Sequence, residues 1–241
     1  QYDYLVVGSG IIGMTIAYEL LSEDSLLTIA IIDKEDDVAK HASGRNSGVL
    51  HAGFYYTADS LKAKFTVDGN RLMKKFCNEN NIFVKNTQKI VVAKDEKELE
   101  GIYELQKRAE INGVDTKVIG EEEVLKIDSN IKTYKKALFS PNTASVDPKE
   151  VCYKLRDILK EKGVDFFFNT SFEDSNLEYK YLINSAGAYA DKIAQKFGLA
   201  KNYTMLPFKE IYLKYMTNKT DIKTNIYPVP NLANPFLGVH Y

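Results

Sequence analysis

Residues 2–33 decide the fold, and they read YDYLVVGSGIIGMTIAYELLSEDSLLTIAIID. An apolar run at residues 4–7 ends in glycines, and apolar residues then recur at helical spacing, at Ile12, Ile16 and Leu20. Residues 28–32 are apolar or β-branched throughout, as expected for a parallel strand covered on both faces, and Asp33 ends the run. The stretch therefore predicts one complete βαβ unit.

Three glycines, Gly8, Gly10 and Gly13, form a G-x-G-x-x-G pattern at the predicted strand-to-helix turn. The first permits the tight turn, the second lets backbone amides approach a pyrophosphate, and the third lets helix and strand pack closely. Asp33, 20 residues after Gly13, is placed to accept hydrogen bonds from an adenosine ribose. The pattern predicts a dinucleotide site and leaves FAD and NAD both open; the alternative is a glycine turn without a ligand.

Composition excludes several classes of protein. The 241 residues carry 32 Lys and Arg against 33 Asp and Glu, so no strong field attracts nucleic acid. The two cysteines, Cys77 and Cys152, follow no metal or redox spacing, which predicts buried free thiols and no metal site. No apolar run approaches the roughly 20 residues of a transmembrane helix, and no signal peptide is evident. We expect a cytoplasmic protein without a transmembrane segment, and peripheral membrane contact stays open.

The rest of the chain alternates between helical and extended patterns. We predict helices at residues 61–76, 96–112, 121–127 and 148–159, and strands at 89–93, 116–119, 165–168 and 181–184. The first of these helices is expected to bury an apolar side formed by Leu61, Phe65, Leu72 and Phe76.

A second cluster, residues 41–56, reads HASGRNSGVLHAGFYY. Its small residues permit close backbone approach, while Arg45, Asn46 and Ser47 can bond phosphate or ring oxygens. The cluster favours a loop laid against a cofactor, and the alternative is an ordinary polar loop.

Several strings together resemble the L-2-hydroxyglutarate dehydrogenases and oxidases, within the D-amino-acid-oxidase-like (DAO) FAD superfamily. They are residues 41–56, SLKAK at 60–64, NSAGAYAD at 184–191, PF at 207–208, NIYPVP at 225–230 and PFLGVH at 235–240. The resemblance spans nearly the whole chain and implies FAD as cofactor. It implies oxidation of a 2-hydroxy acid to a 2-oxo acid, with L-2-hydroxyglutarate as the preferred candidate substrate. The implied electron acceptor is oxygen or a quinone. Alternatives are a glycerol-3-phosphate dehydrogenase, an amino-acid oxidase, or an inactive flavoprotein-like fragment.

The resemblance also implies roles for individual residues. A base with a pKa near neutrality suits removal of the hydroxyl proton as hydride leaves C2 for flavin N5, and the matching histidines are His51 and His240. The implied cofactor-binding residues are Gly8, Ser9, Gly10, Ile11, Ile12, Gly13, Asp33, Lys34, Arg45, Asn46, Ser47, Gly48, Ala186 and Gly187. The implied substrate-binding residues are Tyr56, Lys209 and Tyr212, with Arg45, Lys62 and Lys64 as further cations and Tyr55 and Tyr227 as further pocket aromatics.

The expected fold class is α/β: a Rossmann-like FAD-binding domain with a parallel sheet, and an inserted mixed-sheet α+β substrate domain. We assign residues 1–80 and 145–200 to the first and residues 81–144 and 201–241 to the second. Compared with the family, the chain is shorter between Phe167 and Tyr181 and has Glu210 where a glycine is usual. The family also continues beyond Tyr241 with a strand and helix that return to the FAD domain, so we expect part of a longer enzyme.

Overall fold

The computed structural model of the chain describes residues 1–208, 211, 213, 216 and 222–230. The strands are β1 (Tyr2–Val7), β2 (Ile29–Ile32), β3 (Val49–Leu50), β4 (Lys89–Val92), β5 (Lys117–Gly120), β6 (Lys136–Ser140), β7 (Ala144–Ser145), β8 (Asp165–Phe167), β9 (Tyr179–Asn184) and β10 (Asn225–Pro228). The helices are α1 (Ile11–Glu23), α2 (Leu61–Glu79), α3 (Glu96–Ile111), α4 (Glu121–Ile127), α5 (Pro148–Glu161) and α6 (Ala190–Lys196). Short 3-10 turns lie at Ala42–Gly44 and Gly187–Tyr189.

The chain divides into two compact units, and their bounds differ from the predicted domains. The first unit lies within Gln1–Ser47 and Asp147–Leu213, and the second within Gly48–Val146 and Lys214–Tyr241. Residues 48–80 thus belong to the second unit, because α2 packs on the loop after β3: the Asn70 amide donates to the carbonyls of Leu50 at 2.9 Å and His51 at 3.2 Å. The functions assigned to the two units stay predictions.

The first unit is built on a four-stranded parallel sheet with the order β8-β2-β1-β9. Val7 at the end of β1 pairs with Ile32 of β2 and with Asn184 of β9. The carboxyl ends of these three strands therefore meet at one edge of the sheet. In open α/β sheets, ligands bind at such an edge.

The core of this sheet explains its unbroken apolar strands. All four residues of β2 are buried, and Leu5 and Val6, which face opposite sides of β1, are both fully buried. Both faces of the sheet are therefore covered by other parts of the unit, as is usual for parallel sheets. The predicted βαβ unit is confirmed, with α1 connecting β1 to β2.

The second unit contains a mixed sheet with the order β10-β4-β6-β5. Strand β10 runs parallel to β4, while β6 runs antiparallel to both β4 and β5. The sequence did not predict β6, because its KALFS string lacks the strict alternation of a half-buried strand. The α/β fold class, with one parallel and one mixed sheet, is confirmed.

The predicted apolar side of α2 is wrong. Leu61, Phe65 and Leu72 are 68%, 62% and 52% exposed, whereas the buried residues of this helix are Ala63 and Cys77. The loop after β3 approaches so closely that a Cβ on Gly53 would lie 2.7 Å from the Val67 side chain. The side of α2 that carries Ala63 and Val67 therefore packs on this loop, and Leu61, Phe65 and Leu72 lie away from it.

Both cysteines are buried, as predicted. None of the helices in the described ranges combines the length and apolar character needed to cross a bilayer.

Candidate functional site

The glycine turn between β1 and α1 has two glycines that the fold itself requires. Gly8 adopts φ +105°, and a Cβ there would lie 2.5 Å from the Ser185 carbonyl oxygen. A Cβ on Gly13 would lie 2.3 Å from the Gly8 carbonyl oxygen. A Cβ on Gly10 would meet only the Ser43 hydroxyl, at 3.1 Å. The space in front of Gly10 is therefore open to a ligand, which fits the close approach of a pyrophosphate.

The amino terminus of α1 presents donors to the same space. The Ile11 N–H donates to the Ser43 hydroxyl at 2.9 Å. The N–H groups of Ile12 and Gly13 find no protein acceptor within the described part of the chain. First-turn amides and the helix dipole favour an anion. Sequence reasoning missed Ser43, although it lies inside the small, polar cluster at residues 41–56.

Asp33 follows β2 at the carboxyl edge of the sheet, and its carboxylate faces the glycine turn. Its Oδ2 accepts hydrogen bonds from the backbone N–H and the hydroxyl of Ser9, each at 2.7 Å. Its Oδ1 accepts from the Glu35 N–H at 3.0 Å. Predicted residues Ser9 and Asp33 are thus brought into direct contact beside Gly10.

Lys34 points into a small charged group next to this turn. Its ammonium pairs with the Glu35 carboxylate and lies 3.2 Å from His41 Nε2, which in turn lies 2.8 Å from Glu35. Hydrogen bonds from Lys34 and His41 lower the pKa of Glu35 to about 2. The Lys34 ammonium also lies 5.1 Å above the ring of Tyr189.

The predicted residues 45–48 follow the 3-10 turn at Ala42–Gly44. Arg45, Asn46 and Ser47 are exposed, while Gly48 is buried with φ +68°. The Asn46 amide donates to the carbonyls of Ala42 at 2.9 Å and Ser43 at 3.0 Å. Asn46 therefore stabilises the turn that holds Ser43 against α1, and the Arg45 guanidinium extends into solvent.

The loop after β9 lies against the glycine turn. The N–H and the hydroxyl of Ser185 both donate to the Val7 carbonyl at 2.9 Å. These bonds hold Ala186 so close that its Cα would lie 3.2 Å from a Cβ on Gly8. The predicted pair Ala186 and Gly187 thus lies at the same sheet edge as the glycine turn, and Gly187 is exposed with φ +55°.

In the second unit, His51 contacts a lysine that the sequence reasoning missed. The Nδ1 atom of His51 lies 3.0 Å from the Nζ atom of Lys89, which is fully buried. The Lys89 ammonium group lies 3.8 Å above the Tyr227 ring, and the rings of His51 and Tyr227 meet edge to face at 6.2 Å. Burial lowers the pKa of Lys89 to about 7. The sequence signal that could have identified Lys89 is its charge, because it is the first residue of the otherwise apolar run at residues 89–93.

Two tyrosines of the predicted pocket lie near this pair along the chain. The Tyr55 hydroxyl is buried without a hydrogen-bond partner in the described residues, and burial raises its pKa. Tyr56 is half-buried, with the Lys62 ammonium 4.5 Å above its ring. Lys64 is exposed. Three predicted residues, Lys209, Tyr212 and His240, lie outside the described residues.

The geometry at the first sheet edge fits the ADP part of a dinucleotide. It offers open space over Gly10, first-turn amides for phosphate oxygens, and the carboxylate of Asp33 for sugar hydroxyls. The fold and this edge define a dinucleotide-binding protein of the Rossmann type.

The family follows from comparison with known sequences. The chain matches the family model "DAO: FAD dependent oxidoreductase" over residues 3–241, and it belongs to that family. The predicted family and the choice of FAD over NAD are confirmed.

Curated relatives share the whole length of the chain. An L-2-hydroxyglutarate dehydrogenase of Escherichia coli O17:K52:H18 is 34% identical over 100% of the chain. Mitochondrial proteins of the same name from Caenorhabditis briggsae and Bos taurus are 37% and 31% identical over 100% of the chain. The chain spans 60%, 60% and 58% of the length of these three relatives.

Solved structures share the fold at lower identity. The dithionite-reduced L-alpha-glycerophosphate oxidase of Mycoplasma pneumoniae with FAD bound has a TM-score of 0.79 at 22% identity, covering 96% of this chain and 66% of that protein. The L-proline dehydrogenase of P. horikoshii has a TM-score of 0.76 at 19% identity, covering 95% and 64%.

Proposed function

We propose that the chain forms part of an FAD-dependent enzyme that oxidises a 2-hydroxy acid, L-2-hydroxyglutarate, to the 2-oxo acid. The relatives that match its whole length carry the name L-2-hydroxyglutarate dehydrogenase. One observation carries the chemical part of the proposal: His51 is held 3.0 Å from the buried Lys89. A histidine in such an environment is suited to proton transfer at neutral pH.

In this proposal the two compact units have different roles. The first unit binds the ADP part of FAD through the turn at Gly8 to Gly13 and through Asp33, with Ala186 and Gly187 beside them. The second unit supplies the groups that handle the substrate, with His51 as the base. The open space over Gly10 and the partnered Asp33 carboxylate support the first assignment.

The chemistry requires the loss of a hydride and a proton from the substrate. FAD, when bound, supplies the two-electron acceptor for the hydride that leaves C2. His51 takes the hydroxyl proton, because a carbonyl forms at C2 only as that proton is lost. A positioned base typically contributes about 100- to 10,000-fold to such a step.

A substrate with two carboxylates also needs cations. Lys62 is one of the predicted cations, and its ammonium lies 4.5 Å above the Tyr56 ring. We assign Tyr56 and Lys62 to the recognition of a substrate carboxylate. Arg45, Lys209, Tyr212 and His240 keep the roles that the resemblance implies.

Anaerobic mixing of the flavin-loaded, full-length protein with a substrate panel tests the proposal. The panel contains both enantiomers of 2-hydroxyglutarate, other 2-hydroxy acids, glycerol 3-phosphate and amino acids. L-2-Hydroxyglutarate should bleach the flavin absorbance fastest. Faster bleaching by glycerol 3-phosphate or an amino acid would assign the protein to another substrate class, and no bleaching by any of them would favour an inactive protein.

A matched pair of variants separates the base from general damage. His51→Asn should retain FAD and lose about 100-fold or more of the bleaching rate. Asp115→Asn is the control, because Asp115 is exposed and has no role in the proposed site. Reoxidation of the bleached flavin by oxygen or by a soluble quinone then identifies the electron acceptor. Cell fractionation is a separate experiment, and it tests the expected cytoplasmic location.

A further inference from the structure

Lys89 is a fully buried residue at the start of β4. Its Nζ atom contacts His51 Nδ1 at 3.0 Å and lies 3.8 Å and 5.1 Å from the ring centres of Tyr227 and Tyr55. Within the described residues, no carboxylate lies within ion-pair distance of Lys89. Burial of an unpaired ammonium is costly, so the neutral amine becomes accessible near neutral pH.

Among the described residues, the strand neighbours of Lys89 and the aromatic rings beside it are uncharged. The strand neighbours of Lys89 are Ser140 of β6 and Asn225 of β10. Burial keeps the pKa of the Tyr55 phenol well above its ordinary value, so the phenol stays neutral. The faces of Tyr55 and Tyr227 attract a cation, which offsets part of the cost of burial.

The hydrogen bond between Nζ and Nδ1 contains one proton. Whether that proton is covalently bound to Nζ or to Nδ1 determines the tautomer of a neutral histidine ring. An ammonium donates to an unprotonated Nδ1, so a neutral ring then carries its proton on Nε2 and cannot accept another there. A neutral amine has a lone pair and can instead accept from the Nδ1 N–H, an arrangement that leaves Nε2 as the proton-accepting nitrogen.

We propose that Lys89 is a positioning residue whose neutral amine accepts the Nδ1 proton of His51 and so makes Nε2 the base. When the substrate hydroxyl proton moves to Nε2, the Nδ1 proton moves to the Lys89 amine. The pair then holds an ammonium and a neutral ring protonated on Nε2, one proton more than before, while the hydride leaves to FAD. This inference rests on the proposed function only in naming His51 as the base.

Nitrogen NMR of the full-length, FAD-loaded protein labelled with 15N-histidine tests the tautomer directly. His51→Asn assigns the His51 signals. Above the titration of the pair, we expect a proton on Nδ1 and none on Nε2. A neutral ring with its proton on Nε2 under those conditions would overturn the proposal. The measurement needs no turnover, so its outcome is independent of which substrate the panel identifies.

Three variants test the same idea through activity. Lys89→Arg keeps a permanent donor against Nδ1, so the anaerobic bleaching rate should fall about 100- to 10,000-fold with no recovery at higher pH. Lys89→Gln offers an amide oxygen that accepts from Nδ1, so it should retain more activity than Lys89→Arg and change the acid limb of the pH profile. Lys85→Met is the control, because Lys85 is exposed in the segment just before β4.

Flavin absorbance establishes that each variant still binds FAD. Equal losses in Lys89→Arg and Lys89→Gln, with an unchanged pH profile, would indicate a purely structural lysine and contradict the proposal. If Lys89→Arg does not fold, Lys89→Gln provides the test. In that variant the NMR measurement must still find the His51 proton on Nδ1.

Discussion

The carboxylate of Asp33 accepts two hydrogen bonds from Ser9, one from its backbone N–H and one from its hydroxyl, each 2.7 Å long. These bonds tie the end of β2 to the turn that follows β1. With the bond from Glu35, the protein uses three of the about four acceptor positions of an ionised carboxylate. The carboxylate is thus oriented and retains capacity for a sugar hydroxyl.

Removing the charge of Asp33 should weaken FAD binding. Asp33→Asn loses a charge-assisted acceptor worth about 1.5–3 kcal/mol, so the Kd for FAD should rise about 10- to 100-fold. Flavin fluorescence titration measures this. Asp36→Asn is the control, because Asp36 is exposed and forms an ion pair with Lys40. An unchanged Kd in Asp33→Asn would remove Asp33 from the cofactor site.

Alanine substitutions at Gly10 and Gly13 should affect different properties of the protein. Gly13→Ala places a Cβ 2.3 Å from a carbonyl oxygen, so the protein without FAD should lose about 1–3 kcal/mol of unfolding free energy or more. Gly10→Ala places a Cβ 3.1 Å from the Ser43 hydroxyl, so its stability should fall by no more than the about 0.5–2 kcal/mol of that cap, while FAD affinity falls about tenfold or more. Urea unfolding and fluorescence titration separate the two effects. Equal FAD affinity for Gly10→Ala and the parent protein would count against a pyrophosphate at this turn.

Ser43 should stabilise the fold as a remote cap of α1. Its hydroxyl accepts the Ile11 N–H at 2.9 Å, and Gly10 at the N-cap position has no side chain to do so. Ser43→Ala should therefore lower the unfolding free energy by about 0.5–2 kcal/mol. Ser47→Ala is the control, because Ser47 is exposed nearby. Equal urea midpoints for the two variants would contradict the capping role.

Lys89 should make stability depend on pH in a defined direction. The unfolded chain holds the Lys89 proton up to about 10.4, whereas burial lowers the folded-state pKa to about 7. Between these values the unfolded state binds more protons, so the unfolding free energy contributed by Lys89 rises with pH, by at most about 1.4 kcal/mol per unit. Lys89→Met should abolish this rise, and Lys85→Met should retain it. Urea unfolding at pH 7 and pH 9 measures the difference, and parallel behaviour of the two variants would mean that Lys89 keeps its charge when folded.

Sequence reasoning found the elements whose signals are local. The βαβ unit of β1, α1 and β2 was predicted because glycines and an unbroken apolar strand leave few alternatives. Strand β6 was missed because only its position between β4 and β5 buries it. The buried face of α2 was predicted wrongly, because hydrophobic spacing along the chain does not show which side of the helix the loop at Gly53 approaches.

The amino-acid sequence alone determined the α/β class, the glycine turn, the FAD family and the candidate His51, because each depends on residues that are neighbours along the chain. Tertiary structure alone decided that Ser43 reaches the amino terminus of α1, that Ser185 holds the second loop against Gly8, and that Lys89 lies against His51. These contacts join residues 32, 177 and 38 positions apart. Local propensity carries no signal for such pairs, because folding and burial alone bring them together.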